Sequence, residues 1–306
     1  MKQVLRHAAL LGATALVLAD AASAAQGGLC PRWSEPEQGG ALDVSVLHEA
    51  SGIAVGSGGR LYHINDGNSP AFHVTDAKGG GLRTVRITGV KAVDIEDMAY
   101  GRCGDANCLV LADTGDNTQR RESVQFIFVR EVEKFGAEVK PLRVLRARYP
   151  DRAHDAEAIA LHPDGDLLLV TKSPLGLGGP SVLFRLRAGQ LAAGGEQTFE
   201  RLGEIPVPQL SEHGLTLRRM VTSMDVAPDS RRLLLLTYDS AIEIALPPGL
   251  ALPAEWKAGV THRSTPIALL LQAEAVAYED GGRGIVYSTE SLRGSAAPLM
   301  RQRCLD

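Results

Sequence analysis

The chain repeats one short phrase five times: an opening that is mostly polar or acidic, two further residues, then alanine. It occurs as Ser51-Gly-Ile-Ala54, Glu96-Asp-Met-Ala99, Glu157-Ala-Ile-Ala160, Met224-Asp-Val-Ala227 and Glu274-Ala-Val-Ala277. Repeats at intervals of roughly 45–65 residues mark an array of similar units, each too small to bury its own apolar face. A single irregular domain has no reason to repeat itself in this way.

The segments between the phrases give each unit its strands. After every phrase comes a reversal rich in Gly, Pro, Asp or Ser: Gly56–Gly59, Cys103–Cys108, Pro163–Gly165, Pro228–Ser230 and Asp280–Gly282. A short apolar run follows: Leu61–Asn65, Leu109–Asp113, Leu167–Thr171, Leu233–Thr237 and Ile285–Thr289. Third strands are expected at Ala71–Thr75, Gln125–Arg130, Ser181–Leu186, Ala241–Ala245 and Leu299–Arg303. Fourth strands are expected at Leu82–Ile87, Leu142–Arg148, Phe199–Ile205 and Thr265–Leu271. The fifth unit lacks a fourth strand, and Ala41–His48, ahead of the first phrase, alternates well enough to supply it. The expected fold is therefore an all-β, five-bladed β-propeller closed by an N-terminal strand. Six blades are the main alternative, because Ala188–Met220 is long enough to hold extra strands. A solenoid would need polar caps at both ends, and a sandwich would not repeat its opening phrase.

The N-terminus carries Lys2 and Arg6, an apolar run to about Leu18, and then Ala22-Ser-Ala24, the pattern of a secretory signal cleaved after Ala24. That run is too short to span a bilayer, and no other stretch approaches the required length of about twenty apolar residues. The expected organisation is a signal at residues 1–24 and one propeller domain at 25–306, periplasmic or secreted, monomeric and not inserted in a membrane. Four cysteines in an exported chain imply two disulfides, Cys103–Cys108 across a hairpin and Cys30–Cys304 tying the two ends of the ring. Cleavage removes Lys2, Arg6 and Asp20 and moves the formal charge from −4 to −5. With no basic cluster, that balance excludes a nucleic-acid surface.

In a propeller the first strand of each unit is innermost, so the recurrent alanines permit close approach. The acids ask for a different explanation. Asp94, Glu96, Asp155, Glu157 and Glu274 stand at or just before the opening of the phrase, with Asp97 beside them. The second strands run out into Asp113-Thr-Gly-Asp116-Asn117, Asn65-Asp66, Thr171-Lys172, Thr237-Tyr238-Asp239 and Thr289-Glu290. A hairpin brings the start of one strand beside the end of the next, so both sets gather around one mouth of the central channel. Carboxylates crowded together raise each other's pKa unless a cation sits among them, and oxygen-rich clusters suit Ca²⁺. The expected ligands are Asp94, Glu96, Asp97, Asp113, Asp116, Asn117, Asp155 and Glu274. The competing expectation is that these acids accept hydrogen bonds from loop amides and lock blade to blade. Lys172 would be the counter-ion of the ring or an electrophile, His154 and Glu157 the candidate acid–base groups, and Arg120, Arg121 and Arg152 further cations. No nucleophile elbow, phosphate loop, zinc-protease helix or dinucleotide fingerprint is present.

The phrases Asp94-Ile-Glu-Asp-Met-Ala99, Ala112-Asp-Thr-Gly-Asp-Asn117, His154-Asp-Ala-Glu-Ala158 and Gln272-Ala-Glu-Ala-Val276 resemble those of a group of uncharacterised exported bacterial propeller-like proteins. Ser51-Gly-Ile-Ala54 and the Asp-x-Glu openings more distantly resemble the esterase-like phytase and gluconolactonase-type propellers. The resemblance implies a metal-bearing top face and hydrolysis of an ester, lactone or phosphoester. The phytase-like enzymes have more basic residues at the rim than this chain has. The alternative expectation is a non-catalytic propeller that holds a small-molecule or surface ligand at the top of the channel.

Overall fold

The computed structural model describes residues 28–172, 180–207 and 219–306. The expected signal at 1–24 and part of Ala188–Met220 lie outside them. Five sheets, each built on four antiparallel strands, follow one another along the chain. Blade 1 is built from Ala50–Val55, Leu61–Asn65, Ala71–Thr75 and Arg83–Ile87. Blade 2 has Ile95–Cys103, Ala106–Asp113, Val124–Arg130 and Arg143–Arg148. Blade 3 has Ala156–Leu161, Leu167–Thr171, Ser181–Leu186 and Glu200–Ile205, and blade 4 has Val221–Val226, Arg232–Thr237, Ser240–Ala245 and His262–Pro266. Blade 5 has Ala273–Glu279, Gly284–Thr289 and Ala297–Leu305, with Glu37–Leu42 as its outer strand.

The chain thus closes its ring as expected, with one shift of position. The closing strand is Glu37–Leu42 rather than Ala41–His48, because a turn begins after Leu42, where Asp43 accepts the amides of Val46 and Leu47 through its carbonyl at 3.0 and 2.8 Å. The Cys30–Cys304 and Cys103–Cys108 disulfides are both formed. Buried Glu243 of blade 4 reinforces the closure. It accepts Cys30 N at 2.8 Å, Arg232 Nη1 at 3.0 Å and Tyr278 Oη of blade 5 at 2.8 Å. Ala188–Met220 holds no sixth blade among its described residues. It gives a short helix, Ala188–Ala193, a strand Glu196–Thr198 that runs parallel along the outer edge of blade 2, and the outer strand of blade 3.

The core is five seams between neighbouring blades. Alternation along each second strand feeds both: Leu109 and Leu111 of blade 2 pack toward blade 1, while Val110 and Ala112 pack toward blade 3. That explains why these strands read as unbroken apolar runs, since both faces are covered. Each such side chain removed from water contributes about 1.5–3 kcal/mol. The last seam joins Ala275, Ala277 and Val286 of blade 5 to Ile53 and Leu61 of blade 1, completing the circle.

One irregularity recurs in all five blades. The pairing of first and second strands slips by one residue at Ser51, Glu96, Glu157, Thr222 and Glu274, each left unpaired between regular neighbours. A β-bulge leaves its extra residue out of the ladder and re-aims its side chain. The opening residue of the phrase is therefore the bulge itself. In blade 4 the bulge is Thr222, two residues before Met224, so the fourth phrase is Thr222-Ser-Met-Asp225 and Asp225 takes the place that alanine holds in the other four blades. Alanine spacing points instead to Ala227, two residues beyond Asp225 and just past the end of the strand.

Candidate functional site

The bulges sort by chemistry. Where the residue is a hydroxyl it ties blade to blade: Ser51 Oγ donates to the carbonyl of Glu96, and Thr222 Oγ1 to that of Ala273 at 2.7 Å. Where it is Glu96, Glu157 or Glu274, a carboxylate stands at the channel mouth, only 4–5 % exposed. The second strands supply the next set. Asn65, Asp113, Thr171, Thr237 and Thr289 pair with the residues just before the bulges, so Asp66, Thr114, Lys172, Tyr238 and Glu290 follow at equivalent positions. Thr114 ties to Ala156 O at 2.7 Å. The other four carry charge or a phenol to the mouth.

Carboxylate oxygens of Asp66, Asp94 and Glu96 lie within 4.8 Å of one another, and so do those of Glu96, Asp155 and Glu157. Glu96 belongs to both groups. Lys172 pairs with Glu157 Oε1, and Tyr238 Oη donates to Glu274 Oε1 at 3.0 Å. Glu157 Oε2 is buried and has no hydrogen-bond partner among the described residues. A β-carbon at Gly115 would collide with the Glu96 and Asp94 carboxylates, so this glycine is what lets the loop pass beside them.

The electrostatics follow from burial and crowding. Burial, then the charges of Glu157, Asp66 and Asp94, push the Glu96 carboxyl far above its ordinary range. Burial raises Glu157 against the opposing pull of Lys172, and raises Glu274 together with the nearby Glu157. Asp66 is pushed up to about 6 by burial and by Asp94 and Glu49, and Glu290 to about 7 by burial and by Asp66 and Glu49. Burial would lower Lys172, but Glu157 and Glu274 outweigh it and raise it, so its ammonium stays charged. One ammonium faces a surplus of carboxylates.

The other sequence candidates lie elsewhere. Asp113 accepts the amides of Val93 and Asp94 at 3.0 and 2.9 Å and Arg121 Nη1 at 2.8 Å, an arrangement that fixes the loop behind Asp94. Asp116 takes Arg121 N at 2.7 Å and closes the same turn, and Asn117 is exposed. Asp97 lies deeper, at a paired position: its Oδ1 accepts Met98 N at 2.8 Å and Ser223 Oγ at 3.2 Å, and its Oδ2 accepts Ile159 N at 2.9 Å. It joins blades 2, 3 and 4 and has no oxygen to spare. His154 packs its ring 4.9 Å from Tyr149 and 5.2 Å from Phe184, with Nε2 bonded to Asp151 at 3.0 Å. It is engaged in the seam between blades 2 and 3, with no bond to the clustered carboxylates. Arg152 bonds Gln119 and Ala153 O. The mouth therefore gathers Asp94, Glu96, Asp155, Glu157, Lys172 and Glu274 and leaves the rest in the scaffold. With them stand Asp66, Tyr238 and Glu290, the second-strand ends that the hairpin argument brings to this mouth, although they were not among the expected ligands or acid–base groups.

No family model matches the chain, and no curated protein matches it. Solved structures do. The PQQ-bound aldose sugar dehydrogenase of Streptomyces coelicolor is 13 % identical over 89 % of this chain and 98 % of its own, with a TM-score of 0.53. A gluconolactonase of Xanthomonas campestris is 13 % identical over 86 % of this chain and 74 % of its own, at 0.49. The apo-form soluble aldose sugar dehydrogenase of Escherichia coli is 11 % identical over 90 % and 100 %, at 0.47. The chain is a β-propeller with distant β-propeller neighbours. At such identity the likeness describes architecture and leaves the chemistry to the site.

Proposed function

We propose that this chain is an exported propeller that binds a hard divalent cation, Ca²⁺ in the first instance, at the acidic mouth of its channel, and hydrolyses an ester, lactone or phosphoester there. The observation that carries the reading is Glu157 Oε2, a buried carboxylate oxygen without a donor among the described residues, on a side chain grouped with Glu96 and Asp155 in a mouth where one ammonium meets many carboxylates. A buried carboxylate oxygen left without a partner is costly, and oxygen ligands in this number and of this hardness suit Ca²⁺. Asp66, Asp94, Glu96, Asp155 and Glu157 would hold it. When bound, the cation supplies Lewis acidity toward the scissile group.

The chain's own residues have definable parts. Lys172 keeps a charged donor beside Glu157, able to bind an oxygen on which negative charge develops. Tyr238 holds Glu274 in place through its hydroxyl. His154, held by Asp151, supports the wall of the site and exchanges no proton there. The leader pattern at residues 1–24 and the two disulfides, which persist in oxidising compartments, support the export part of this reading. Among the described residues no helix is long and apolar enough to cross a membrane.

A second reading, a non-catalytic propeller that holds a ligand on this mouth, is favoured by the engagement of His154 outside the cluster. Thermal unfolding of the oxidised protein in chelator and then in millimolar Ca²⁺ tests the cation, because a ligand bound by the native state alone raises apparent stability. Turnover on ester, lactone and phosphoester panels, abolished by chelation and by Glu157→Gln, separates the two readings. A cation-bound protein that turns over nothing on those panels leaves the binding role.

A further inference from the structure

Beside the acidic mouth, on the flank of blade 2, lies a pocket of opposite charge. It has a volume of about 260 Å³ and is lined by Lys91, Val93, Arg121, Ser123, Gln125 and Arg146, together with the buried side of Val124. Among the described residues no carboxylate lines it. Lys91 makes no ion pair among the described residues. Arg146 approaches Glu196 only at 3.9 Å and is 66 % exposed along its side chain. Arg121 is the rigid member, its Nη1 fixed on Asp113 Oδ1 at 2.8 Å and on Gly115 O at 2.9 Å. Ser123 Oγ accepts both Nε and Nη2 of Arg146, at 3.2 and 2.7 Å, so its own hydroxyl proton is left to donate. Gln125 Nε2 holds the floor, bonding Lys91 O at 2.6 Å and Asp113 Oδ2 at 2.5 Å.

The pocket and the acidic mouth are joined by the same atoms. Asp113, which fixes Arg121, also accepts the amide of Asp94 at 2.9 Å, and Val93, exposed on the pocket wall, precedes Asp94 by one residue. A small organic body resting on Val93 would therefore reach from the cations to the carboxylates of Asp94 and Glu96. We propose that Lys91, Arg121, Ser123 and Arg146 form an anion-binding subsite for one compact oxyanion group of a small organic substrate whose reacting part lies at the acidic mouth. The claim about the reacting part rests on the hydrolase reading; the subsite itself does not. Asp113 neutralises Arg121, so the pocket offers about the charge that one phosphate, sulfate or carboxylate group would match, and the surplus of carboxylates next door repels a polyanion. A donor set of two guanidinium groups, one ammonium and one hydroxyl is suited to tetrahedral or planar oxyanions.

The test is calorimetric titration at low ionic strength, where exposed charges are least screened. Protein stripped of metal, with the chelator then removed, is titrated with inorganic phosphate and with phenyl phosphate. Inorganic phosphate should bind. Lys91→Gln combined with Arg146→Gln should weaken it roughly tenfold or more, the loss expected from charge-assisted contacts. Both side chains are exposed, so this variant should fold, which near-ultraviolet circular dichroism verifies. Phenyl phosphate should bind more tightly than inorganic phosphate, and Glu157→Gln should leave phosphate binding in place. Absence of phosphate binding, or equal affinity in the double variant, overturns the subsite. Phenyl phosphate binding no better than phosphate overturns its assignment to an organic substrate. None of these readouts needs a metal, so failure of the cation reading appears separately, as unfolding that Ca²⁺ does not shift.

Discussion

Two layers of carboxylates line the same channel and obey different rules. In the deeper layer, on the inner strands, Asp97 is fully buried and Asp225 half-buried, and every oxygen has a donor. Asp97 takes amides of blades 2 and 3 and a hydroxyl of blade 4; Asp225 takes Val226 N and, from blade 5, Tyr278 N, both at 2.8 Å. In the upper layer Glu96, Glu157 and Glu274 are buried as well, yet they crowd one another, and one oxygen of Glu157 has no partner among the described residues. The deeper acids are the cross-braces of the ring. The upper acids hold each other at a cost that a bound cation would relieve. Burial and residue type alone would have called both sets the same; counting the donors to each oxygen separates them.

The contrast breaks most sharply at Asp97. Asp97→Ala leaves the amides of Met98 and Ile159 without an acceptor in the core, and urea denaturation should show a loss of about 3–5 kcal/mol. A loss below about 1 kcal/mol would mean that water takes over the brace.

Next in size is the cation. At a concentration about a hundredfold above its dissociation constant, Ca²⁺ should add about 2.7 kcal/mol to the apparent stability. The gain should vanish in Glu157→Gln and persist in Asp225→Asn. Equal gains in both variants would place the cation elsewhere.

The third prediction concerns pH. Burial pushes the Asp225 carboxyl up to about 7 despite two backbone donors. Unfolded, the group titrates near its ordinary 3.8. Between those values the unfolded chain releases a proton that the folded chain retains, so stability at this position falls as pH rises from about 4 to about 7. Asp225→Asn cannot titrate. The destabilisation it causes should therefore be largest near pH 4 and shrink toward pH 7, read as the difference between paired denaturation curves.

The smallest effect is expected at Glu274. Glu274→Gln keeps an acceptor for Tyr238 Oη and removes one of the crowded charges, so metal-free protein should change by less than about 1 kcal/mol and in the stabilising direction. A marked loss would reassign Glu274 to the deeper, bracing class.

The sequence conveyed the fold almost strand by strand because strands buried on both faces write an unmistakable pattern, as Leu233–Thr237 and Leu167–Thr171 do. It also identified the mouth as the meeting place of Glu96, Glu157 and Lys172. What it concealed is the bulge. A slip of one residue in pairing leaves no mark in composition, so alanine spacing puts the fourth phrase on Ala227 where the structure aligns Thr222, and Asp97 reads as a companion of Glu96 although the slip sends the two side chains to different layers. The roles of Asp113 and Asp116 were hidden for another reason: an acid that caps a turn and an acid that binds a cation have the same letter, and only the amides of Val93, Asp94 and Arg121 distinguish them.

The closure of blade 5 sets a timetable. Cys30 and Cys304 are 274 residues apart, and at ribosomal rates the first strand is made on the order of 10–60 s before its partner. Throughout that interval the edge of Glu37–Leu42 lacks its partner strand, and the apolar flank formed by Ile53 and Leu61 has no Ala275, Ala277 or Val286 to cover it. The ring cannot be assembled progressively to completion; its last seam forms only when the final strand arrives. A growing chain of this kind depends on being kept from its neighbours until then, and the disulfide, once made, records that the circle was finished.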